Sequence, residues 1–148
     1  MKENIADLLE IKKQTIAEQV VEMQYADNPK YWEKYGEKGK QYSIRDAGYH
    51  LPFLAEAIIA EDEAIFTDYV QWVKRLFESL NFHDSVMTNT LICTNKVLKK
   101  ELSPEQAAIS EKYIKAGIKQ MSIPLTNLDS YIDKSTDNQK SIYIKKSS

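Results

Sequence analysis

The chain has 148 residues, 43% hydrophobic and 28% charged, which suits one compact domain with a core and is too short for two ordinary ones. Its 20 basic and 22 acidic residues leave a net charge of −2, so no overall field draws the molecule to nucleic acid. Four glycines and four prolines are too few for the turns of a β-sandwich, and the lone Cys93 excludes an internal disulfide and fits a reducing compartment.

The N-terminal MKENIADLLEIKK interrupts its apolar residues with charges, unlike a signal peptide, and no stretch approaches a membrane span of about 18 apolar residues. A cytoplasmic location is the expectation. Residues 5–25 read as a first helix, with Ile5, Leu8, Leu9, Ile16, Val20 and Met23 near a 3.6-residue period and Asn4 as its cap. Asp27-Asn28-Pro29 ends it, and Pro29 suits the first position of a short helix through Tyr35. Gly36–Lys40 reads as a loop.

The stretch GKQYSIRDAGYHLPFLAEAII then predicts a central helix. Ser43, Asp46, His50 and Phe53 fall at i, i+3, i+7 and i+10, so one stripe carries a hydroxyl, a carboxylate and an imidazole before turning apolar. Such a stripe either lines a pocket or forms an ordinary helix flank. Pro52 cannot donate to the carbonyl of Gly48 and crowds it, which predicts a kink or a fresh helix near Leu51.

Glu61-Asp62 separates this helix from the next, whose stripe is Ile65, Phe66, Tyr69, Val70, Val73, Phe77 and Leu80, with Lys74, Arg75 and Glu78 on the other side. Trp72 falls outside that stripe and suits a helix edge or a contact with another chain. Asn81–Ser85 forms a turn that caps a further helix turning Val86, Leu91, Ile92, Val97 and Leu98 inward. Ser103-Pro104-Glu105-Gln106 is a capping box with proline at the first helical position, and the helix it opens buries Ala107, Ile109, Tyr113, Ile114, Gly117 and Ile118. Residues 1–121 are thus one helical domain. Residues 122–148 read as a mobile or partner-dependent tail, polar over 133–141 and closing on Ile142-Tyr143-Ile144-Lys145-Lys146.

The central stretch, the helical pair after it and LSPEQAAISEKYIKAGIKQM together resemble the phycobilisome proteins, the phycocyanin and allophycocyanin family, from about Ile5 to Met121. The family's chromophore helix reads approximately Cys-Ala-Arg-Asp followed by paired aromatics, where this chain has Ser43-Ile44-Arg45-Asp46 and then Tyr49-His50. Tyr69 stands where that family's pocket has a later tyrosine. The resemblance implies an all-α, globin-like fold of about five or six helices. It also implies a family pair of N-terminal subunit-pairing helices, for which only one substantial helix is read before Pro29. By the same resemblance Asp46 accepts from pyrrole N–H groups of a linear tetrapyrrole and Arg45 pairs with a propionate, matching a carboxylate to donors and a guanidinium to an acid.

The family's thioether cysteine corresponds to Ser43, and a hydroxyl cannot form that bond. The expectation is therefore a non-enzymatic regulatory or protein-interaction module without a covalent chromophore. The alternative is a sensor that takes a bilin or haem non-covalently beside Ser43, Arg45, Asp46, Tyr49, His50 and Tyr69. No cofactor is required under the first reading, and a protein partner or a second copy is expected. Plainer readings stand beside these: Arg45 and Asp46 as a solvated flank or salt bridge, and His50 as the i,i+4 partner of Asp46. Haem through His50 has only His83, in a turn, as a second histidine. Glu-x-x-His pairs, zinc ligand sets, Gly-rich phosphate loops and a nucleophile beside a histidine do not occur in the sequence. The tyrosines at 25, 31, 35, 42 and 49 read as packing and edge covering rather than a base-stacking platform.

Overall fold

The computed structural model describes residues 2–125. In chain order these form α1 (Lys2–Ile11), α2 (Lys13–Asp27), a short α3 (Pro29–Trp32) running into a 3₁₀ turn (Glu33–Tyr35), α4 (Gly36–Ala60), α5 (Glu63–Ser79), α6 (Asp84–Glu101) and α7 (Pro104–Met121). Six of these helices have ten residues or more, and no strand occurs among the described residues. The fold is all-α and globin-like, as the sequence implies. No helix among the described residues is long and apolar enough to cross a membrane.

The longest helix, α4, is the axis of the assembly: α1, α2, α5 and α7 all pack on it, while α6 closes the structure against α2 and α7. One continuous core results, built from Ile5 and Leu9 of α1, Ile16, Val20 and Val21 of α2, Leu51, Leu54 and Ile58 of α4, Phe66, Val70 and Val73 of α5, Leu91, Val97 and Leu98 of α6, and Ile114 of α7. Helix propensity alone would leave segments of this length marginal, so this shared burial is what holds them. Between α2 and α6, buried Gln24 donates to the Thr90 hydroxyl at 2.8 Å, satisfying a polar pair that would otherwise be stranded in the core.

Several local signals act as their chemistry dictates. Pro29 opens α3. Glu61 ends α4 in the left-handed region at φ 53°, and Asp62 then caps α5 by accepting from the Ala64 N–H. Ser103 and Gln106 form the full reciprocal capping box of α7.

Other expectations are corrected. The single helix over 5–25 is two, broken at Lys12, whose ψ of 9° leaves the helical range although its carbonyl still accepts from Ile16. Asn4 lies inside α1 rather than capping it, and two helices, not one, precede Pro29. Both are packed into the domain's own core. Gly36–Lys40 is the first turn of α4, not a loop. Gly36 takes φ 63°, which lets the chain swing out of the 3₁₀ turn directly into the helix.

No fresh helix begins near Leu51, because α4 runs unbroken through Pro52. Gly48, whose carbonyl the proline crowds, also lets α2 come close. A Cβ there would lie 3.1 Å from the Lys13 Cε and 3.9 Å from the Ala17 Cβ. Ile92 faces outward rather than inward, and Lys74, assigned to the outer side of α5, is only 6% exposed. The last helix, α7, ends at Met121, and the reading of the tail as mobile or partner-dependent lies, from residue 126 on, outside the described residues.

Candidate functional site

The polar stripe of α4 points inward. Ser43 is 5% exposed, Asp46 2% and His50 4%, so all three leave solvent where a surface flank would keep them wet. The same α-helical period that buries Ala47, Leu51 and Leu54 carries them in. Tyr69 meets the stripe from α5, 7% exposed, with its hydroxyl 2.5 Å from His50 Nδ1 in a shared hydrogen bond. Phe53, one turn on from His50 and 38% exposed, stacks on the Tyr69 ring with centroids 4.0 Å apart and planes 12° apart. The Trp72 ring lies 6.1 Å from that of Tyr69, with the planes 28° apart.

Arg45 sits at the rim with its side chain 35% exposed and its Nε 3.6 Å from Asp46 Oδ1, and its guanidinium lies over Tyr42 at 4.9 Å. A buried carboxylate beside a half-wet guanidinium, next to an imidazole–phenol pair, can receive N–H donors within and an acid at the edge. Asp46 and Arg45 are therefore adjacent as the sequence requires. His50 bonds to Tyr69 across the α4–α5 junction, a partner that spacing along one helix could not reveal.

Ser43 and Tyr49 have different surroundings. Ser43 borders a small cavity of about 10 Å³ lined by Tyr31, Trp32, Tyr35, Phe77 and Phe82, barely the space of one water. Tyr49 turns toward α2, where the Lys13 ammonium lies 5.6 Å from its ring centre. The tyrosines near α3 pack as an aromatic knot: Tyr25 stacks on Trp32 at 5.1 Å, and Tyr31 meets Trp32 edge-on at 4.9 Å. Burial raises the Tyr25 phenol, with the neighbouring Ser43 hydroxyl pulling it partly back. Tyr31 is pushed up to about 12, by burial first and then by Tyr35. Both phenols stay neutral at any ordinary pH.

Cys93 is fully buried on α6, and burial, then the charge of Asp27, raises its thiol. A thiolate is the reactive form, so Cys93 in the native protein is expected to react with a disulfide reagent at least a hundredfold more slowly than in urea. Equal rates in the two conditions would contradict its burial. Sequence reasoning missed Phe53 and Trp72 as neighbours of Tyr69. Trp72 carried a signal, standing three residues on from Tyr69 on the same helical face.

An all-α domain whose central helix buries Asp46 and His50, with His50 bonded to a tyrosine of the next helix, has the layout of a globin-like protein of phycobilisome type. The family model described as phycobilisome protein matches residues 2–121, and the chain belongs to the phycobilisome protein family. No individual curated protein matches it.

Proposed function

We propose that this chain is a non-enzymatic regulatory or protein-interaction member of the phycobilisome family that carries no covalent chromophore. The observation that carries this reading is Ser43: by the resemblance of Ser43-Ile44-Arg45-Asp46 to the family's chromophore motif it stands where the attachment cysteine would be, and on the buried face of α4 it supplies no sulfur. The only thiol, Cys93, is on α6 and fully buried. A thioether-linked bilin therefore does not fit these residues. The partner is another protein or a second copy of the chain, and a cytoplasmic setting accords with the single reduced thiol.

A second reading is favoured by one observation, the inward Asp46 beside Arg45. A linear tetrapyrrole held without a covalent link would place its N–H groups toward Asp46 and a propionate toward Arg45, with His50 and Tyr69 fixing the α4–α5 wall. Such a group would supply visible absorption, and the chain would supply only shape and charge. Titration of the protein with biliverdin and, separately, haem distinguishes the two readings. An unchanged spectrum together with a stable oligomer by light scattering supports the interaction module. A sharpened, red-shifted band that Asp46→Ala weakens at least tenfold supports the second reading and overturns the first. Ser43→Cys adds a further arm, since a covalent adduct formed only by that variant would identify Ser43 as the residue that withholds attachment.

A further inference from the structure

A groove of about 470 Å³ runs between α1 and α4, on a face of α4 turned away from Asp46 and His50. Its floor is apolar: Leu9 and Leu51 are buried beneath it, and Pro52 and Ile59 are exposed, Ile59 by 45%. Its rim is acidic, with Asp7, Glu10 and Glu56 against the single Lys13. Among the described residues none of these three carboxylates takes part in an ion pair, whereas Lys2, Lys12, Lys99 and Lys112 elsewhere each find an acid.

Charge selects the occupant. Two copies meeting through this face about a two-fold axis would set three acids against three acids, and an anionic surface or nucleic acid would be repelled in the same way. What fits is a short apolar segment carrying cations. The chain has one outside the described residues: Ile142-Tyr143-Ile144 followed by Lys145-Lys146. Lys74 of α5 fixes where the chain leaves the fold, donating to the carbonyls of Met121 at 2.8 Å and Ile123 at 2.7 Å. Sixteen residues, 126–141, then lie between Leu125 and Ile142. A random-coil chain of that many residues spans roughly 20–24 Å on average and up to about 55 Å extended, against a domain diameter of about 35 Å. An attached segment of that length sits at an effective concentration on the order of millimolar, so even weak complementarity fills the groove.

We propose that residues 142–146 dock in cis in the α1–α4 groove, the isoleucines against Pro52 and Ile59 and the lysines on Asp7, Glu10 and Glu56. The proposal is independent of whether α4 also binds a tetrapyrrole, and its test uses no chromophore. The full-length protein is treated with a water-soluble carbodiimide, which joins only amines and carboxylates already in contact. Cross-linked peptides are then mapped by mass spectrometry in a mixture of ¹⁴N- and ¹⁵N-labelled chains. The expected result is Lys145 or Lys146 joined to Asp7, Glu10 or Glu56 within chains of one isotope. The double variant Ile142→Ser/Ile144→Ser keeps every reacting group, and its yield should fall at least about tenfold for loss of the buried apolar contact. Links chiefly to other carboxylates, links between the two isotopes, or an undiminished yield in the double variant would each overturn it.

Discussion

Phe66→Ala is expected to destabilise the protein by about 3–5 kcal/mol, measured as the shift in a urea unfolding curve. Phe66 is 1% exposed and stands where α5 crosses α7. The crossing is close because α7 offers Gly117: a Cβ there would lie 2.7 Å from Phe66 Cε2 and 3.2 Å from Val70 Cγ2. Cavity and close approach are two sides of one fit, and the fit predicts a coupling. Gly117→Ala alone should cost about 1–3 kcal/mol through overpacking, outweighing the gain of up to about 1 kcal/mol in helix propensity. Once Phe66 is shortened, the added methyl has somewhere to go, and Gly117→Ala should become neutral or stabilising in the Phe66→Ala background. Additive effects in this double-mutant cycle would show that the two positions do not touch.

Lys74→Met should also be costly, by roughly 1–3 kcal/mol. A methionine has nearly the length of the lysine stem, so the change isolates the ammonium from the packing. Among the described residues that ammonium has no carboxylate partner, yet it is well placed, because the Met121 carbonyl closes the negative end of α7 and the Ile123 carbonyl just beyond it accepts as well. Removing it leaves the carbonyls of Met121 and Ile123 to find water. A second readout separates this local role from a general loss of packing: cleavage by a protease just after Met121 should accelerate more than cleavage anywhere in α5. Uniform acceleration across the chain would mean that Lys74 is simply part of the core.

How much of this was legible beforehand depends on how local each cause is. The capping box at Ser103, the proline opening α3 and the Glu61-Asp62 switch are written within a few residues of where they act, and the structure forms each of them. The inward turn of Asp46 and His50 was left open by the sequence, which allowed a solvated flank as well; burial of Leu54 carries in His50 four residues before it, and Asp46 lies one further turn back on that line. What escaped was determined at a distance. The break at Lys12 has no glycine or proline to announce it, and the Lys12 ammonium reaches Glu101, 89 residues away, at 3.3 Å. Gly36 and Gly39 suggest a loop by composition, yet packing against the α3 aromatics extends α4 through them. Lys74 looks like a surface residue until the end of α7, 47 positions on, supplies its acceptors. At the site, the resemblance pointed to Tyr69 while spacing alone did not, and the aromatic wall around Ser43 left no trace in the helix that carries it.

The bond between Gln24 and Thr90 joins residues 66 positions apart, and α2 has α6 as one of its main neighbours. A ribosome adding about 5–20 residues per second needs roughly 3–13 s to make the intervening chain. Throughout that interval α2, with Ile16, Val20 and Val21, lacks the α6 wall against which it packs in the finished fold. The final burial of α2 is thus timed by translation of α6 rather than by its own sequence.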